Sequence, residues 1–298
     1  MDWNRDGHDW PNRDMSRFVE VRPHRWHIQE DGEGPTLLLL HGAGAATQSW
    51  SGLLPRLSAR FHVVAIDLPG QGFTRCGARH RLSLARMSED IARLAEAQGW
   101  SIELIVGHSA GAALGLDLAR RLRPTGVVGL NAALGKFDGI AGWLFPLMAK
   151  LLAVNPLAAT LLTRMPNGEA RVRELLEASG SVFDARTLAL YARLASDRAH
   201  VAGTIGMMSQ WNIDSLLGQL GTIDCPVLLL AGEKDGTVPP AISQNAAARL
   251  PNGRFRLQPG LGHLMHEEAP EAVASEIEAF AEGLGQLVPA ITPATLRA

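Results

Sequence analysis

Several function classes need residues that this sequence has little of. It holds two cysteines in 298 residues, Cys76 and Cys225. They lie far apart and show no metal-ligand spacing, so neither a disulfide framework nor a cysteine-based metal site is expected. There is no basic excess: 28 Lys and Arg face 30 Asp and Glu, for a net charge of −2. That leaves no electrostatic footprint for nucleic acid. Neither a G-x-x-x-x-G-K-S/T loop nor a dinucleotide fingerprint is present, so no ATP motor and no cofactor is expected. The stretch MDWNRDGHDWPNRDMSRF is polar and has no apolar h-region, unlike a secretory signal, and cytoplasmic residence is the expectation. An unbroken membrane span is missing as well. The longest apolar stretch, 140–162, is interrupted by Pro146, Lys150, Asn155 and Pro156. It reads as two short lid helices, with peripheral contact at the inner membrane left open.

What is present is a large apolar content, 46% of residues, enough for one sizeable core. Short apolar runs alternate with helical patterns. Phe18 to Gln29 suits a hairpin, with a turn at Asp31-Gly32-Glu33-Gly34-Pro35. Thr36–Leu40, Phe61–Ile66, Ile102 onward, Gly126–Asn131, Val227–Ala231 and Phe255–Gln258 read as strands. Ser49–Ala59, Leu84–Gln98, the run after Ser109, Ile242–Leu250 and Ala269–Leu284 read as helices. From about Ala133 to Ser215 the alternation stops. A breaker-rich helical segment takes over, with helices expected at Trp143–Val154, Glu169–Ala178, Ala185–Ser196 and Val201–Trp211. The expected organisation is an amino-terminal arm at 1–17 and an α/β core at 18–132 and 216–284. A helical cap at 133–215 and a tail at 285–298 complete it.

The stretch that carries chemistry is IELIVGHSAGAALGL, Ile102 to Leu116. It contains G-x-S-x-G between a strand and a helix, the context of a nucleophile elbow. Ser109 would sit on a strained turn, with Gly107 and Gly111 kept small by their neighbours. A serine hydroxyl needs a positioned base, and His263 in Pro259-Gly260-Leu261-Gly262-His263 is the leading candidate, with His266 competing. The base needs an acid to orient it. Asp235, after the strand Val227–Ala231, is favoured over Glu233 and Asp138. The oxyanion donors expected are the backbone N–H groups of Ala110 and Ala43, with Gly42 as runner-up to Ala43. His41 reads as structural and Asp67 as a turn that shapes the pocket. Gly42, His108, Trp143, Met207, Met208 and Trp211 are the candidates for lining a substrate site, Met and Trp adapting to flat apolar surfaces. A serine at 109, rather than an aspartate, argues against haloalkane dehalogenase or epoxide hydrolase chemistry.

The order Ser109, Asp235, His263, with His41-Gly42-Ala43-Gly44, resembles the α/β-hydrolases over residues 18 to 284. That resemblance implies a mostly parallel eight-stranded sheet flanked by helices, with an inserted cap. Less generic stretches carry a closer one. They include Met1-Asp2-Trp3, Asp9-Trp10-Pro11, Ser16 to Glu20, His41 to Thr47 and Gly107 to Ala113. Asn155-Pro156-Leu157, Tyr191 to Leu194, His200 to Gly203 and Gly206-Met207-Met208 complete the set. Together they resemble the magnesium-chelatase accessory proteins of bacteriochlorophyll biosynthesis. The resemblance implies a role near magnesium insertion into protoporphyrin IX, with a small apolar substrate such as a porphyrin or its ester, and chelatase subunits as partners. Three readings stay open: an active serine hydrolase, a non-catalytic porphyrin carrier or assembly factor, and a general carboxylesterase or C–C bond hydrolase.

Overall fold

A computed structural model describes residues 1–135, 158–164 and 167–287. Its centre is an eight-stranded sheet: β1 Ser16–Val21, β2 His24–Asp31, β3 Thr36–Leu40, β4 His62–Ile66, β5 Ile102–His108, β6 Gly126–Leu130, β7 Val227–Gly232 and β8 Gly253–Gln258. The spatial order is β1-β2-β4-β3-β5-β6-β7-β8. The first two strands pair antiparallel, and the other six run parallel. The fold is thus the mostly parallel, helix-flanked sheet expected from the sequence.

The unbroken apolar strands follow from burial on both faces. Leu38 and Leu40 join one apolar cluster with the helices α3 Leu84–Gln98 and α4 Ala110–Leu122. Leu37 and Leu39 alternate to the other side, against α2 Leu54–Leu57 and the closing helix α12 Pro270–Leu287. A helix expected from Ser49 to Ala59 is broken instead. A short 3-10 turn covers Thr47–Trp50, and α2 starts afresh. Pro55 stands in the first turn of α2, where its missing N–H costs nothing, but it cannot continue an earlier helix.

Between β6 and β7 lie α5 Ala158–Thr163, α6 Gly168–Ala178, α7 Ala185–Ser196, α8 Arg198–Gln210 and α9 Asp214–Gly218. We call this segment the cap. The helix expected at Trp143–Val154 lies outside the described residues, as do Asp138 and Trp143. α10 Pro240–Ala247 and the short α11 Met265–Glu268 complete the helices described. Among the described residues, no helix is long and apolar enough to cross a membrane.

The stretch before β1, expected as an amino-terminal arm, is folded onto the core and the cap. α1 Trp3–Asp6 is capped by Asp2, which accepts from the Asn4 and Arg5 N–H groups. Trp3 packs edge-on against Phe18 and Phe73. Trp10 is buried and donates to the Thr47 hydroxyl at 3.1 Å. Arg193 of α7 grips the Asp9 carboxylate with both terminal nitrogens, at 2.6 and 2.8 Å. This hydrogen-bonded ion pair pulls the Asp9 carboxyl down to about 2.

Candidate active site

Every parallel strand from β3 to β8 ends on the same edge of the sheet, the edge where open α/β sheets carry their ligands. The loop 41–44 follows β3, Ser109 follows β5, Asn131 follows β6, Asp235 follows β7 and His263 follows β8.

Ser109 is the turn between β5 and α4, with φ 51° and ψ −114°. A non-glycine residue there costs roughly 1–3 kcal/mol and persists only because its surroundings impose it. They do so with backbone. A Cβ on Gly111 would strike the Leu40 carbonyl, and one on Gly107 would strike the Gly111 carbonyl. The turn is further fixed by the Ser109 N–H donating to the Leu130 carbonyl at 2.9 Å. Ser109 itself remains partly exposed.

The β3 loop presses against this turn. A Cβ on Gly42 would lie 3.2 Å from the Ser109 Cβ and 2.8 Å from His108 Nδ1. His41 is fully buried; its Nδ1 donates to the Gly42 carbonyl at 2.8 Å, and its Nε2 accepts from the Leu68 N–H at 2.9 Å. Burial holds this imidazole in its neutral form, below the usual histidine range. Gly44 donates its N–H to the Gln71 side chain at 2.7 Å. Ala43 is exposed between these anchors. Ala110 is the first residue of α4, so its N–H has no intrahelical acceptor. Asp67 accepts from Thr47 N at 2.7 Å, Phe73 N at 2.8 Å and His27 Nδ1 at 2.8 Å. Burial opposes its charge, but the adjacent His27 prevails and keeps the carboxyl below its ordinary range.

On the other side, Asp235 and His263 are joined. His263 Nδ1 donates to Asp235 Oδ2 at 2.8 Å, while Asp235 Oδ1 accepts from the Thr237 and Val238 N–H groups, each at 2.8 Å. The Asp235 side chain is fully buried and that of His263 is 10% exposed. The carboxylate is therefore fixed, and it leaves the other ring nitrogen, Nε2, as the acceptor. Among the described residues, no hydrogen bond links that nitrogen to the Ser109 hydroxyl. Hydrogen bonds of this kind are often long before substrate binds. Glu233, the competing acid, is exposed and accepts instead from the Gly260 N–H at 2.9 Å. His266, the competing base, is fully buried between Trp50 and His108, with ring centroids 4.6 and 4.4 Å away. Neither of its nitrogens has a hydrogen-bond partner, and burial pushes it down to about 3.

Two side chains hold the His263 backbone. His108 is buried and donates from Nε2 to the His263 carbonyl at 2.9 Å. Burial, with His266 and His263 nearby, keeps it neutral, well below its usual range. In the sequence Asn131 marks only the end of a strand. It has φ 47°, is fully buried, and donates to the carbonyls of Gly262 at 3.0 Å and His263 at 2.7 Å. Its Oδ1 accepts from the Gly232 N–H at 2.8 Å. One amide thus ties the end of β7 to the His263 loop. The only signal in the sequence was an asparagine where a buried strand stops. The cap adds the Ser179 carbonyl, which accepts from His263 N, and the Ser181 hydroxyl, which accepts from Leu264 N.

The cap candidates divide. Met207 is fully buried, and its sulfur lies 3.1 Å from Gln71 Nε2. Met208 and Trp211 are partly exposed, Trp211 packing against the core.

Comparison with known proteins accords with this fold. Residues 37–276 match the model of the Alpha/beta hydrolase family. The chain is 42% identical over 277 residues to the "Magnesium-chelatase 30 kDa subunit" of Rhodobacter capsulatus, covering 92% of this chain and 97% of the relative. It is 29% identical to the "Pimeloyl-[acyl-carrier protein] methyl ester esterase" of Nitrosomonas europaea, covering 85% and 98%. Among solved structures, an alpha/beta hydrolase fold protein from Burkholderia ambifaria superposes with a TM-score of 0.74 at 24% identity, covering 88% of this chain and 97% of that one. An epoxide hydrolase gives 0.77 at 21% identity, covering 90% and 99%. Both structural likenesses speak to the fold. By the family match and the length of the Rhodobacter alignment, this chain belongs to the alpha/beta hydrolase family, with the magnesium-chelatase 30 kDa subunit as a relative.

Proposed function

We propose that this protein is a serine hydrolase cleaving an ester, and that it serves as an accessory to magnesium insertion in bacteriochlorophyll biosynthesis. The observation that carries the hydrolase half is the fixed pair of His263 and Asp235, standing at the same sheet edge as the strained Ser109. The Rhodobacter relative's name supports the accessory half.

In this reading Ser109 Oγ attacks the ester carbonyl carbon, and His263 Nε2 takes the hydroxyl proton. Asp235 holds Nδ1–H and stabilises the imidazolium. The oxyanion collects the Ala110 and Ala43 N–H groups. The C–O bond breaks, His263 returns its proton to the departing alkoxide, and a water activated by the same ring frees Ser109. Gly42 bounds the site beside the nucleophile. His108, Met207, Met208 and Trp211, with Trp143 outside the described residues, are proposed around the substrate: Met208 and Trp211 as surface, His108 and Met207 from behind it.

The test is a fluorophosphonate label with an aryl-ester assay on Ser109→Ala. The variant should lose labelling and at least about 10⁴-fold of its turnover. Unchanged hydrolysis would remove Ser109 from the mechanism. A second reading, a non-catalytic carrier or assembly factor, is favoured by the relative's being named a subunit. It requires pigment synthesis to survive Ser109→Ala in cells.

A further inference from the structure

A cavity of about 780 Å³ lies between the chain after β4 and the cap helix α8. Ser109, Asp235 and His263 are not among its lining residues. On α8 it uses the stripe carrying Ala202 and Gly206, while the neighbouring stripe carries His200, which donates to the Gly44 carbonyl at 3.1 Å, and Thr204, which packs on Gly44. The two sites therefore share a helix wall but not a floor.

The walls are built. A Cβ on Gly203 would strike the Gly70 carbonyl, so α8 rests directly on the core loop at that edge. Gln210 donates to the Arg79 carbonyl at 2.8 Å and ties the far end. Arg75 is fixed through its backbone by paired bonds with Arg25, at 2.9 and 3.2 Å. The lining includes the buried apolar residues Phe73 and Leu82.

Three arginines line the cavity: Arg75 and Arg79 from the core loop, and Arg198 from the cap. All three are exposed, and among the described residues none has a carboxylate partner. Some arginines elsewhere are paired with acids, as Arg81 with Asp90 and Glu89, and Arg60 with Glu278 and Glu282. Arg198 is moreover the first residue of α8, where the helix dipole disfavours a cation. Asp197, the one acid in the lining, is already engaged by the His200 N–H at 2.9 Å and by the Met1 amine at 3.1 Å. Three arginines without an acid partner, from the core loop and from the cap on one cavity lining, offer planar, multiply donating groups suited to carboxylates.

We propose that this cavity is a second ligand site, separate from the ester site, for a molecule with an apolar body and two or more carboxylates. Its volume lies within the range of small-molecule sites. Carboxylates bridging Arg75 and Arg79 to Arg198 would also fasten the cap to the core. The assignment does not depend on Ser109 being a nucleophile.

The probe is protoporphyrin IX, an apolar ring with two carboxylates, titrated by quenching of tryptophan fluorescence, with its dimethyl ester as the uncharged control. The diacid should bind the parent protein at least about tenfold more tightly than the diester, the sum of three exposed ion pairs. The triple variant Arg75→Gln, Arg79→Gln, Arg198→Gln should lose that margin. Its aryl-ester hydrolysis should stay at the parent level, because these residues stand outside the ester site. Raising salt should weaken diacid binding in the parent and not in the variant. The proposal is overturned if diester and diacid bind alike, if the triple variant holds the diacid within twofold of the parent, or if neither compound binds.

Discussion

Ser109 is held mainly by its own neighbourhood, whereas His263 is held by residues from across the chain. The glycines at 107 and 111, the start of α4 and the abutting Leu40 carbonyl define the serine turn. The His263 loop instead hangs from Asn131, His108, Ser179 and Ser181, with Asp235 fixing the ring. A strained backbone turn can be marked by five consecutive residues, although the Leu40 and Leu130 carbonyls that brace it come from neighbouring strands. An imidazole placed over a sheet edge has no local code, because each group that holds it arrives from another strand end or from the cap.

The contrast can be broken by substitution. The largest effect is expected from Gly111→Ala, which drives a methyl group into backbone at Leu40 and should cost about 3 kcal/mol or more in denaturant unfolding, along with hydrolysis. Near-parent stability would mean that the elbow is softer than its contacts imply. Next comes Asn131→Ala. It strands the Gly262 carbonyl and the Gly232 N–H, leaves the His263 carbonyl to His108 alone, and should cost about 2–4 kcal/mol. It should also lower kcat for an aryl ester by about tenfold or more, with KM little changed. Parent kcat in a folded Asn131→Ala protein would show that the base loop does not need its remote tie.

A third test concerns the seam between cap and core. Tyr191 donates to Glu267 Oε1 at 2.6 Å, and burial raises the Glu267 carboxyl to about 8 from an ordinary 4.5. A carboxyl raised in the folded state favours the protonated form there. Its contribution is complete below about pH 4.5 and is lost as pH rises towards 8. Stability should therefore fall across that window, and Glu267→Gln should flatten the slope measured by thermal unfolding at a series of pH values. An identical slope in the variant would remove Glu267 as its source. His266, held near 3, acts in the opposite sense below its ordinary pKa of 6.5 and is common to both proteins. The smallest effect is expected from Asp9→Asn. It weakens an exposed ion pair with Arg193 and should cost about 0.2–1 kcal/mol, less at high salt. A larger loss that ignores salt would point to packing of the segment before β1 instead.

Much of the architecture was legible. Continuous apolar runs such as Thr36–Leu40 marked strands buried on both faces, and their alternating clusters show why. Ala185–Ser196 was read to the residue. The expected helix at Ser49–Ala59 failed where Pro55 restarts the chain. The ordered segment before β1 was illegible for another reason. Trp3 is satisfied by Phe18 and Phe73, partners too far along the chain for any local periodicity to register.

By itself the sequence determined the strands, the chain order of the loops that follow them and the glycine-flanked serine turn, because apolar period and turn residues act between near neighbours. Tertiary structure alone joined His263 to Asp235, while leaving Glu233 exposed on the Gly260 N–H and His266 buried without a hydrogen-bond partner. It also recruited Asn131 and gathered Arg75, Arg79 and Arg198 around one cavity. Those choices rest on hydrogen-bond geometry and burial between segments that meet only after the sheet has closed.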